Sequence, residues 1–174
     1  MGPLLRHLLA IAALPFTVAV LVPLWIARRF GVELTVAARP LELGAQVSGV
    51  GCLLLGAALF GACLRRFASE GQGTLAPWDP PRRLVVQGPY RFVRNPMISG
   101  VIFLLFGEAL VLVSRPHAVW AVAFLVLNLI YIPLVEEPQL ERRFGDPYRE
   151  YRASVWRFLP RLRPWHPPRG GAGS

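Results

Sequence analysis

Apolar residues in this chain gather into four long stretches, approximately Leu8 to Ala27, Gly44 to Leu64, Met97 to Ser114 and His117 to Val135, with polar connections between them. A hydrocarbon layer about 30 Å thick takes roughly 20 apolar residues of helix to cross. Each stretch therefore predicts a transmembrane helix, and together they predict an all-α polytopic membrane bundle of about four spans. The first stretch lacks a small-residue cleavage site and three more follow it, so it reads as a retained helix and not as a signal peptide. After Val135 the pattern changes. Leu140, Phe144, Tyr148, Tyr151 and Val155 recur every three or four residues, the mark of a C-terminal amphipathic cytoplasmic helix. Gly145-Asp146-Pro147 divides it into two pieces, the first continuing the fourth span. Residues 1–162 make one domain, and the Pro/Gly-rich residues 163–174 predict a disordered tail.

Within the second stretch, Gly44, Gly49, Gly51, Gly56 and Gly61 with Ala45, Ala57 and Ala58 supply the small side chains that let helices approach closely in lipid. Pro15 and Pro23 predict an irregular turn in the first stretch, tolerable where neighbours satisfy the freed carbonyls. The connection from Arg65 to Asn95 is long for so small a protein, and long connections are usually functional. It contains a short extended apolar run, Leu84-Val85-Val86, and turn-forming residues at Gly71-Gln72-Gly73.

Charge sets the orientation. The 19 basic residues are all Arg and give a net charge of +9. Fifteen fall in the N-terminus, the middle connection and the region after Val135, against four on the other side. The positive-inside rule then places both termini and the middle loop in the cytoplasm. Such a balance indicates contact with anionic headgroups, and no nucleic-acid recognition fold accompanies it. The all-Arg, Ala/Pro/Gly-rich composition suggests a GC-rich bacterial genome, hence an inner membrane.

Cys52 and Cys63 lie about three helical turns apart on one predicted helix, too far to bridge. With no His at ligand spacing they read as small buried hydrophobes, and the pattern supports no metal site. Glu108 sits in the middle of the third span, where an ionisable group is expensive. It is either a functional acid or a carboxyl hydrogen-bonded to a neighbour such as Asn128. Glu136 and Glu137 stand where the fourth span emerges, pointing about 100° apart. One can face the bundle while the other faces water, ready for an amine or hydroxyls, or both belong to a solvated helix end. Arg91 and Arg94, just before the third span, are either topology anchors or anion ligands.

Gly88-Pro-Tyr-Arg-Phe-Val-Arg-Asn-Pro-Met97 with Gly100, then Glu136-Glu-Pro-x-Leu-x-x-x-Phe-Gly-x-x-Tyr-x-x-Tyr151, resemble the isoprenylcysteine carboxyl methyltransferase family and its phospholipid methyltransferase relatives. The resemblance covers roughly residues 44 to 162. It implies an integral membrane methyltransferase that binds S-adenosyl-L-methionine on the cytoplasmic side and methylates a lipophilic acceptor from the bilayer, either an isoprenylcysteine-like carboxylate or a lipid headgroup. By position the cofactor contacts fall on Leu84, Val85, Tyr90, Asn95, Pro96, Met97, Ile98, Glu136 and Glu137. Arg157, matching the family's Val-Pro-Arg-x-x-Pro ending, and Arg94 are the candidates to orient an anionic part of the substrate.

Three positions depart from the family pattern. Asn95 replaces a common His and cannot carry a proton. Ile98 stands where a tyrosine is usual. Ile132 replaces an Arg that holds the substrate carboxylate in the prenylcysteine branch. The rival readings are an NADPH-dependent lipid double-bond reductase on the same architecture and a non-catalytic membrane scaffold.

Overall fold

The computed structural model describes residues 14–36, 38–70, 84 and 86–166, and the side chains of 67–70 are left aside. Among the described residues every regular element is helical. A π-helical turn, Thr17–Leu21, leads into α1, Val22–Phe30. Then follow α2, Pro40–Glu70, a 3₁₀ turn at Gly88–Arg91, and α3, Pro96–Val111. The chain continues through α4, Arg115–Tyr131, and a second π turn, Ile132–Glu136, directly into α5, Glu137–Phe144, and ends its helices with α6, Asp146–Ser154.

Two helical segments, Pro40–Arg66 and Arg115–Phe144, are long and apolar enough to cross a membrane by length and composition. The third expected span is shorter than predicted. Its 16 residues reach about 24 Å, a little less than a hydrocarbon core. Of the first expected span, residues 8–13 lie outside the described residues. Val85 of the predicted extended run and Gly71 and Gly73 of the turn also lie outside them.

The principal packing is α2 against α3, antiparallel, with glycines as the contact points. A Cβ on Gly49 would lie 2.8 Å from the Val111 nitrogen, and one on Gly56 2.8 Å from the Gly100 carbonyl. From the other side, a Cβ on Gly107 would lie 2.8 Å from Leu53 Cγ. Backbones this close exchange dispersion contacts that a larger side chain would forbid. Gly44, Gly51 and Gly61 meet nothing within 4 Å, so only part of the small-residue run serves this contact. The register Gly49, Gly56, Cys63 advances by seven, and Cys63 completes it by packing on Met97.

Prolines explain both π turns. In the first, Val22 N donates to Thr17 O, so the next carbonyl, Val18, would look to residue 23, which is proline and has no N–H. Trp120 Nε1 of α4 supplies the missing donor at 3.1 Å. Beside it His117 bridges Ser114 Oγ at 2.7 Å and the Pro23 carbonyl at 3.2 Å. A carbonyl only accepts, so Nε2 carries the proton and Nδ1 accepts from the serine. The second π turn repeats the arrangement, with Glu137 N on Ile132 O and Pro138 two residues past the turn's end. The added residue re-aims the helix just where the paired glutamates stand.

After α5 the chain breaks at Gly145, whose φ of +59° suits a residue without Cβ. The apolar face of α5 and α6 does not meet solvent or lipid: Tyr148, Tyr151 and Val155 are buried against Leu84, Val86, Leu140, Phe144 and Trp165. Trp165 falls in the segment whose composition predicts disorder. It stacks 5.4 Å from Tyr151 between ring centroids and exchanges hydrogen bonds with Arg91, N to O at 2.9 Å and Arg91 Nε to the Trp165 carbonyl at 2.9 Å. Residues 167–174 lie outside the described residues.

Candidate functional site

The end of the bundle where α2 finishes, α3 begins and α4 runs into α5 gathers most of the expected site residues. The 3₁₀ turn at Gly88–Arg91 delivers Tyr90 there. Its ring packs with Phe60, Cys63 and Met97, its hydroxyl bonds the Cys63 thiol, and its carbonyl accepts from Tyr151 Oη at 2.6 Å. Burial pushes the Tyr90 phenol well above its ordinary pKa, with Cys63, Tyr151 and the Glu136 carboxylate adding to the effect. The phenol therefore stays protonated, its hydroxyl engaged with Cys63. Burial also raises Tyr151 and Tyr148.

Asn95 caps α3. Its carbonyl accepts from Ser99 N at 3.0 Å and Ser99 Oγ at 2.9 Å, while its side chain makes no cap bond to the helix. The amide is thus available to a ligand. Pro96 and Met97 are buried behind it, and Ile98 is half-buried. Leu84 sits one layer away, on the Tyr148 and Tyr151 side of the same end.

The structure separates the two glutamates sharply. Glu137 is 2% exposed and held by Arg94 Nη1 at 2.8 Å and by Arg157 in a bidentate pair, Nε at 2.7 Å and Nη2 at 3.0 Å, with Arg152 Nε at 3.4 Å. That bond in turn raises the Arg157 guanidinium above its ordinary value. Glu136 is half-buried, and among the described residues no arginine pairs with it. The sequence reading leaves open which glutamate turns inward. It gives Arg94 and Arg157 as candidates to orient an anionic part of the substrate; here both are engaged by Glu137 and tie the entry of α3 and the C-terminal segment to α5.

Cys63 is buried, as the sequence reading of it as a small hydrophobe expects. As a lone buried thiol it carries no motif, but its place in the seven-residue register with Gly49 and Gly56 puts it on the α3 face beside Tyr90. Glu108 lies elsewhere, along α3. Its expected partner Asn128 instead donates to the Phe124 carbonyl of its own helix at 2.8 Å, and Glu108 Oε2 is buried without a hydrogen-bond partner. Ile132 is 1% exposed and fully packed, leaving no cationic group one turn before the glutamates. Among the described residues no group of His, Cys, Asp and Glu could hold a metal ion.

A sequence model of the phospholipid methyltransferase family matches residues 45–147, from α2 to the start of α6. Phosphatidylethanolamine N-methyltransferase 1 of Vanderwaltozyma polyspora is 33% identical over 96 residues, which are 55% of this chain and 11% of that protein. The chain thus spans about a tenth of the length of the curated relative it matches. No solved structure matches.

Proposed function

This chain belongs to the phospholipid methyltransferase family, and on that premise we propose that it transfers a methyl group from S-adenosylmethionine to the amine of a lipid headgroup at the membrane surface. The observation that carries the reading is the separation of the glutamates. Glu136 is a half-buried carboxylate with no arginine partner among the described residues, near enough to the half-buried Tyr90 to act on its phenol, at the end of the bundle where Asn95 caps α3 without a side-chain cap bond. A carboxylate in that position binds an ammonium or ribose hydroxyls, and the residues present fit the cofactor on those grounds.

When bound, the cofactor supplies a methyl group already activated by its sulfonium. The protein's residues have the task of alignment. Glu136 holds the cationic part, the Asn95 amide offers a further hydrogen bond, and the Tyr90, Cys63, Met97 and Phe60 side chains exclude water behind them. Orientation of this kind contributes on the order of 7–11 kcal/mol in model systems. Glu137 and its arginines do not touch the ligand but hold Asn95 in place, since Asn95 N donates to the Arg157 carbonyl at 3.2 Å. The buried Ile132 favours an amine acceptor over a carboxylate, which would need a cation at that position. The arrangement belongs to a four-span bundle with both termini cytoplasmic, a topology supported by the distribution of arginines.

Calorimetric titration of S-adenosylmethionine into the detergent-purified chain tests this. Glu136→Gln is expected to weaken binding at least tenfold, about 1.4 kcal/mol. Undiminished binding by that variant would remove Glu136 from the cofactor site.

A further inference from the structure

The amphipathic pattern of residues 140–155 predicts a helix lying apolar face down on the membrane, but that face is filled from within by Leu84, Val86 and Trp165. Another part of the same end carries exposed apolar groups. Beyond α6 the chain runs as a strap, non-helical from Val155 onward, fastened to residues 91–95 by backbone hydrogen bonds. Arg94 N donates to Trp156 O at 2.9 Å, Asn95 N to Arg157 O at 3.2 Å, Arg161 N to Phe92 O at 2.9 Å and Trp165 N to Arg91 O at 2.9 Å. The anchored Arg157, Arg161 and Trp165, and Phe158 beside them, are half-buried. Trp156, whose carbonyl is one of these anchors, is 60% exposed, and between the anchors Leu159 is 65% and Leu162 100% exposed. Arg163, also exposed, follows directly.

A solvated loop has no reason to hold a tryptophan and two leucines outward on a backbone fixed at four points. An interface with apolar acyl chains on one side and anionic headgroups on the other does, because tryptophan favours that boundary and arginine pairs with the headgroups. The fastening places the strap directly before α3, whose first residue is Pro96, at the end of the bundle where the apolar span begins. We propose that Trp156, Leu159 and Leu162 form an interfacial anchor that inserts into the lipid–water boundary. Because the strap is bonded to residues 91–95, the depth it takes fixes the height of Tyr90 and Asn95 relative to the headgroups. The proposal rests on reading the long helices as membrane spans and on no particular ligand at the site.

Spin labelling of the full chain in nanodiscs of phosphatidylcholine and phosphatidylglycerol tests it, comparing collisions of the label with oxygen, which concentrates in lipid, and with a water-soluble nickel chelate. Labels are placed singly at Leu162→Cys, at Val122→Cys on the exposed face of α4, and at Arg149→Cys on the polar face of α6, all in a Cys52→Ser background, the remaining Cys63 being fully buried. The expected result is an oxygen-to-nickel ratio at Leu162 at least about threefold above that at Arg149, shifted toward the value at Val122. A ratio at Leu162 equal to that at Arg149, with Val122 reporting lipid, would overturn the anchor while leaving the spans intact. Nickel-dominated collisions at Val122 itself would overturn the membrane reading and the anchor with it. Dipolar broadening between Leu162 labels would show that a second copy covers the strap, and would equally overturn the proposal.

Discussion

Glu137 and Glu136 are adjacent and chemically identical, yet their surroundings give them opposite work. Three guanidiniums surround Glu137, and removing the charge of a buried, multiply bonded carboxylate leaves them unmatched at a cost of about 3–5 kcal/mol. Glu137→Gln should therefore lower the thermal unfolding midpoint of the purified protein by many degrees. Glu136→Gln, measured in the same way, should leave it nearly unchanged. Arg157→Lys should recover little of what Arg157→Ala loses, because an ammonium cannot make the bidentate contact seen at 2.7 and 3.0 Å. Equal unfolding midpoints for the two glutamate variants would contradict the division of roles. Little of this could be read from the chain alone. The motif marks both glutamates, but which one turns inward depends on the extra residue of a π turn, and that the arginines engage a protein carboxylate depends on a strap distant in sequence.

At the scale of elements, the helices were largely legible because their signal is local: long apolar runs, a proline near each start, and Gly145 dividing the C-terminal pair. What was not legible is which small residues make contact. Gly51 and Gly56 look alike in the sequence, but a Cβ would strike backbone at 2.8 Å from Gly56 and meet nothing within 4 Å from Gly51. Gly56→Ala should lower the unfolding midpoint, whereas Gly51→Ala should leave it equal or raise it slightly, since alanine is the better helix former by up to about 1 kcal/mol. Likewise Trp120→Phe keeps the ring but strands the Val18 carbonyl, a loss of about 1–3 kcal/mol for an unsatisfied buried acceptor. Chemical denaturation with Trp120→Phe showing no loss would mean that Val18 finds another donor. The face of α5 and α6 shows the limit of periodicity: it identified the apolar stripe correctly but could not say that the protein's own residues, and not lipid, cover it.

For the molecule as a whole, the two ends of the bundle differ in kind. One end is a set of internal ties, with His117, Ser114 and Trp120 holding α1 to α4 and Gln46 reaching the Val111 and Thr35 carbonyls at 3.0 and 2.6 Å. The other end carries Glu136, Asn95 and Tyr90 beside the packed Cys63 and Met97, braced by Glu137 and fastened by the strap. A half-buried carboxylate with no arginine partner among the described residues, at one end of an apolar bundle, fits a protein whose ligand is polar. The most direct test is methyl transfer itself. The full chain, reconstituted in vesicles containing phosphatidylethanolamine and supplied with methyl-labelled S-adenosylmethionine, should place label in the extracted lipid amine, and Glu136→Gln should abolish most of that label. Wild-type protein that binds the cofactor yet leaves the lipid unlabelled would contradict the account.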